Sequence, residues 1–115
     1  MNALPLSLPT SAASGHIPVM LTEVLEALKP ADGNAILDCT FGGGGYTTAI
    51  LNAADCTVWA IDRDPDAIGR GNILAKAFAE ASGKPRLHML HGSFGTMQDL
   101  TQQAEAPAFD GIVLD

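Results

Sequence analysis

Four consecutive glycines, Gly42 to Gly45, follow an acid-bearing apolar run, and a second acid, Asp62, arrives sixteen residues after Tyr46. The run Ala35-Ile36-Leu37 leads into Asp38-Cys39-Thr40-Phe41 and then into the glycines, an order that reads as strand, tight turn and helix N-terminus. Glycine lets a backbone come close to a ligand because no Cβ intervenes. A second apolar run, Thr57 to Ile61, ends on Asp62, and a carboxylate at that distance from a glycine turn suits the paired hydroxyls of a ribose. These residue types in this order predict a site for an adenosine-containing cofactor.

Two cofactor classes compete for such a turn. The dinucleotide fingerprint G-x-G-x-x-G would need glycines at 42, 44 and 47, and position 47 is Thr47. The S-adenosylmethionine version of the fold carries an acid at the end of the first strand and small residues at alternate positions after it, as Asp38, Thr40, Gly42 and Gly44 do. A pyrophosphate beside Asp38 would be repelled, whereas an ammonium and a sulfonium would be attracted. On that argument Asp38 favours S-adenosylmethionine; the alternative is that Asp38 only caps the turn through its side chain.

The elements that must position these residues follow from periodicity. Residues 19–29 place Val19, Leu21, Val24, Leu25 and Leu28 on one helical face, with Thr22 and Glu23 opposite and Pro30 as the stop. Asp32-Gly33-Asn34 is a turn, 35–39 the first strand, 46–53 a helix and 57–61 the second strand. Asp64 as N-cap with Pro65 behind it opens a helix over 65–81, with Ile68, Ile73, Leu74 and Phe78 as its apolar stripe and Gly83-Lys84-Pro85 as its end. Residues 86–90 form the third strand, with His88 facing a helix and His91-Gly92-Ser93-Phe94 as the exit loop. A short helix over 95–103 and a fourth strand over 111–114 complete the pattern.

Strands alternating with helices predict an α/β fold with a parallel sheet and right-handed crossovers, and the Rossmann-like arrangement places the strands in the order 3-2-1-4. Ligands in such sheets bind beyond the C-terminal strand ends, which puts the glycine turn, Asp62, the His91–Phe94 loop and Asp115 at the site. The fourth strand is apolar on both faces, as in a strand covered on both sides, and would stand at an open edge. The expectation is the N-terminal portion of a longer enzyme; the alternative is a small complete protein that dimerises through that edge.

Composition bounds the reading. A chain of 115 residues holds at most one domain, and 47% hydrophobic content argues for a folded core over disorder. Thirteen acids against six basic residues give a net charge of −7, which argues against this segment gripping nucleic acid phosphates by itself. Cys39 and Cys56 form no C-x-x-C pair and read as small core residues of a cytoplasmic protein. His16, His88 and His91 lack metal-ligand spacing, so no metal is expected, and no apolar run is long enough for a transmembrane helix. Residues 1–15 lack Lys and Arg and read as a flexible tail, with a partial cofactor domain over 16–115.

Five runs in order, HIPVML, LDCTFGGGGYT, AIDRDPDAI, HGSF and FDGIVLD, resemble the bacterial MraW family of S-adenosylmethionine-dependent methyltransferases, over Gly15 to Asp115. The resemblance implies methylation of the exocyclic N4 of a cytosine in the decoding region of 16S rRNA, with the small ribosomal subunit as partner. It implies cofactor contacts at Gly44, Gly45, Tyr46, Asp62, Phe94 and Asp115, with Tyr46 standing where the family often has His; no catalytic residue is assigned. Phe94 would offer a flat face to adenine, or else pack in the core. The family continues past Asp115 with a further conserved segment, a helical substrate domain and the remaining strands, so the resemblance implies a fragment. The competing functions are a catalytically inactive cofactor-binding module and a small NAD-binding domain.

Overall fold

The computed structural model describes residues 20–114. The tail over 1–15, His16, Val19 and Asp115 therefore lie outside the described residues. In chain order the elements are α1 (Leu21–Leu28), β1 (Ala35–Asp38), α2 (Gly45–Ala53), β2 (Thr57–Asp62), α3 (Pro65–Ser82), β3 (Leu87–His91), a 3-10 turn (Phe94–Thr96), α4 (Met97–Gln103) and β4 (Gly111–Val113).

The strands form one parallel sheet in the order β3-β2-β1-β4. The order itself dictates where the helices lie. From β1 to β3 the chain moves one way across the sheet, and right-handed crossovers put α2 and α3 on one face. The step from β3 to β4 runs back past β1, so the same handedness carries α4 to the other face.

The first face carries the larger core. Ile36, Val58, Ala60 and Leu87 are buried there with Ile50, Leu51, Ala67 and Phe78, and Leu21, Val24, Leu25 and Leu28 of α1 pack against them. Gly111 of β4 exists for this packing: a Cβ there would collide with the Leu28 side chain. The second face is thinner. Leu37, Cys39 and Ile61 are buried, and Trp59, Leu90, Met97, Leu100 and Phe109 pack around them.

The apolar stripe of α3 needs one correction. Ile73 does not belong to the buried stripe of α3; it is 74% exposed. Leu74 and Phe78 of the expected stripe do face the core, together with Ala67, Gly71 and Ala75, and Gly71 admits the Met89 side chain against the helix backbone. His88 lies on the sheet face that carries α4. It stacks on Trp59 with ring centroids 4.6 Å apart, and Trp59 meets Phe109 edge-on at 5.7 Å. The row Ile112–Leu37–Trp59–His88 runs across this face in register, and its outer member Ile112 is 54% exposed.

Arg86, read from sequence as the first residue of the third strand, instead precedes β3 as a buried cation. Its guanidinium donates to the carbonyls of Leu51 (2.8 Å), Ala54 (2.6 Å) and Cys56 (3.0 Å). Carbonyls at a helix C-terminus lack intrahelical donors and carry the negative end of the dipole, so a buried arginine satisfies both needs. This anchors α2 behind the glycine turn at its front.

Candidate functional site

The C-terminal ends of β1, β2 and β3 open into one cleft of about 910 Å³. Cys39, Thr40 and Gly42 line it from the first strand, Ile61 to Asp64 from the second, and Gly92 to Gly95 from the third. This is where a parallel sheet concentrates its ligand contacts.

The glycine turn is built around Asp38, which is fully buried. One carboxylate oxygen accepts from the Thr40 amide at 3.0 Å and the other from the Thr47 hydroxyl at 2.6 Å. The expectation that Asp38 faces a cationic cofactor is therefore corrected: its charge is turned inward to shape the turn. Thr47 acquires a role that sequence reading missed. It occupies the third-glycine position of a dinucleotide fingerprint because its hydroxyl holds Asp38. A threonine at the start of the predicted helix, nine residues after a strand-end acid, was the available signal.

Two glycines then take left-handed backbone, Gly42 at φ +55° and Gly44 at φ +89°. A Cβ at Gly44 would also press on the Phe41 ring at 3.0 Å. Gly44 donates to the Phe41 carbonyl at 2.8 Å and its own carbonyl receives Thr48 N–H at 2.9 Å, which starts α2. Gly44, Gly45 and Tyr46 are all buried at this helix start, Tyr46 within the main core. None of the three lines the cleft, whose exposed glycine from this turn is Gly42.

Asp62 ends β2 with its carboxylate in the cleft, and both oxygens are already oriented. Gly42 N–H donates to Oδ2 at 2.8 Å and Asp64 N–H donates to Oδ1 at 2.9 Å. A carboxylate offers about four acceptor positions, so about two remain for a ligand. Arg70, one helical turn into α3, reaches back to the Gly42 carbonyl at 3.3 Å and ties the turn to the same neighbourhood. Arg63, an exposed residue, also lines the cleft.

The third loop supplies Phe94. Ser93 and Thr96 exchange hydrogen bonds across the start of the 3-10 turn, which turns Phe94 outward at its head. The ring is 50% exposed and lines the cleft, so it is not core packing. Cys39, at the β1 end of the cleft, is buried with its Sγ 3.7 Å from Met97 Sδ. Burial raises its thiol pKa above the usual 9.0, with the Asp38 charge adding to the effect, and burial raises Cys56 as well. Neither thiol is set up as a nucleophile.

The structure thus brings together Asp62 and Phe94 among the expected contacts, adds Thr40, Gly42 and Arg63, and sets Gly44, Gly45 and Tyr46 beneath the turn. Among the described residues no cluster of His, Cys, Asp and Glu could hold a metal ion. Among them also, no helix is long and apolar enough to cross a membrane.

Known proteins resemble the chain in both fold and sequence. The C-terminal domain of a precorrin-6Y C5,15-methyltransferase from Rhodobacter capsulatus superimposes with a TM-score of 0.65 at 23% identity, over 93% of this chain and 55% of that one. A S-adenosylmethionine-dependent methyltransferase from Thiobacillus denitrificans, in complex with S-adenosyl-L-homocysteine, gives 0.52 at 19% identity, over 76% and 38%. At these identities the likeness establishes the fold, a Rossmann-like methyltransferase sheet. Sequence relatives are much nearer. The ribosomal RNA small subunit methyltransferase H of Gluconobacter oxydans is 59% identical over all of this chain, and that of Hyphomonas neptunium 58% identical over 90% of it. The chain spans only 32% and 29% of the length of those two relatives. The MraW methylase family pattern matches from residue 13 to residue 115, and the chain belongs to that family.

Proposed function

We propose that this chain is the cofactor-binding part of a S-adenosylmethionine-dependent methyltransferase acting on the exocyclic N4 of a cytosine in the decoding region of 16S rRNA. The observation that carries the reading is the Asp62 carboxylate. It is fixed by two backbone N–H groups, keeps acceptor capacity for two hydroxyls, and lies in the same cleft as the outward Phe94 ring. Family membership and the relatives named for rRNA methylation support the substrate class.

Within this reading each residue has a physical task. Asp62 accepts from the ribose hydroxyls through charge-assisted bonds, stronger than neutral ones. Phe94 lies flat against the adenine. Gly42 leaves open space for the amino-acid end of the cofactor, with only the Thr40 carbonyl near its missing Cβ at 4.0 Å. Gly44, Gly45 and Tyr46 act from beneath by fixing the turn, and Asp115, outside the described residues, is a further cofactor contact. S-adenosylmethionine supplies an electrophilic methyl group on its sulfonium. The cytosine amine must be held in line with that methyl, and its base must be unstacked to reach it. The residues that do this lie in the two thirds of the relatives' length that this chain does not span. Residues 16–115 form a partial domain on this account, in a cytoplasmic protein whose partner is the small ribosomal subunit.

The test is a graft. Residues 13–115 replace the matching segment of the Gluconobacter oxydans relative, and 16S rRNA from treated small subunits is digested and weighed by mass spectrometry. The account expects N4-methylated cytosine from the chimera and a large loss with Asp62→Ala. A folded chimera that transfers no methyl group would contradict it. The second reading, a binding module without transfer, predicts cofactor binding by the same chimera without product.

A further inference from the structure

The exit of β3 carries a histidine that the proposed chemistry does not use. His91 is the last residue of β3 and stands in register with Asp62 at the end of β2. Its ring nitrogen Nε2 lies 2.9 Å from the Arg63 carbonyl, and the next residue, Gly92, donates its N–H to the Asp62 carbonyl at 2.9 Å. Both carbonyls of the Asp62-Arg63 turn are therefore held from β3, while the Asp62 carboxylate is held from the glycine turn. A carbonyl oxygen only accepts, so Nε2 must carry the proton.

We infer that His91 is a positioning residue: its Nε2–H fixes the Arg63 peptide, and through it the direction in which the Asp62 carboxylate enters the cleft. The inference rests on the proposed cofactor reading for its consequence in binding, though not for its geometry. The donation persists whether the ring is neutral or protonated, since Nε2 bears hydrogen in both states. Only loss of the donor should matter, and the shape of the ring should not. Glutamine places an N–H₂ near the position of Nε2, whereas phenylalanine keeps the ring and removes the donor.

The experiment uses the full chain with three substitutions, His91→Phe, His91→Gln and Asp62→Ala. Long-range proton–nitrogen NMR on the imidazole should show the Nε2–H tautomer. His91→Phe should shift the Asp62, Arg63 and Gly42 amide resonances, and His91→Gln should leave them close to the parent. In calorimetric titrations with S-adenosylmethionine, His91→Phe should weaken binding about fivefold, in keeping with one hydrogen bond, and His91→Gln should stay within about twofold. In the Asp62→Ala background His91→Phe should cost nothing further, an outcome a general folding defect would not give. An Nδ1–H tautomer, unmoved amides in His91→Phe, or an equal loss with and without Asp62 would overturn the inference. If the parent chain binds no S-adenosylmethionine, the cofactor reading falls, and the tautomer and amide shifts alone decide for or against His91.

Discussion

At the residue scale the site depends on one buried charge that never meets solvent. Asp38 has lost its hydration and regains hydrogen bonds from Thr40 and Thr47, which is the condition under which a buried carboxylate is tolerated. Thr47→Val keeps the shape and removes the donor. The expected outcome is a loss of about 1–3 kcal/mol in urea denaturation, with the unfolding slope unchanged. A second residue gives a pH signature. Burial holds the His88 pKa below the ordinary 6.5. As pH falls, the unfolded chain takes up this proton first, so stability is complete above about 6.5 and declines below it, until the lower folded value is passed. Melting temperatures taken from about pH 7.5 down to about pH 5 should fall, and His88→Phe should reduce the fall by a few degrees. An identical pH profile in the substituted protein would contradict the assignment. Asp62 was legible from its place after the glycine turn and Phe94 from the family resemblance, and both line the cleft. Sequence reading left Asp38 open between facing the cofactor and capping the turn, since whether a carboxylate points inward depends on backbone direction at a single residue.

At the element scale, each loop of the cleft is fixed by bonds that reach outside it. The turn after β1 is held by Asp62, Arg70 and the Phe41–Ile61 backbone pair, the turn after β2 by His91 and Gly92, and α2 by Arg86 at its far end. The helix and strand order was legible because hydrophobic periodicity and the cap at Asp64-Pro65 are local signals. The place of Ile73 in α3 was not. Ile73 looked like core by hydrophobicity alone but is exposed, whereas Gly71, with no side chain to signal it, faces the sheet and lets Met89 approach the helix backbone. The stacking of His88 on Trp59 was equally hidden, because it joins two strands whose register is set by the sheet and not by either strand.

At the scale of the whole molecule, a parallel sheet with its larger core on one face converges three loops on a single cleft. The other face is partly covered by α4 and Phe109, and Ile112 and Leu114 of the β4 edge region are exposed. Alternation and handedness made a parallel sheet readable before any contact was known, and the order 3-2-1-4 came with the Rossmann-like pattern. The central claim is that this cleft holds S-adenosylmethionine through Asp62. It is tested most directly by calorimetric titration of that cofactor into the full chain and its Asp62→Ala variant, with circular dichroism confirming that both are folded. The account predicts saturable binding at one site in the parent chain and a weakening of about tenfold or more in the variant. A folded parent that releases no binding heat, or a variant that binds as tightly as the parent, would contradict it.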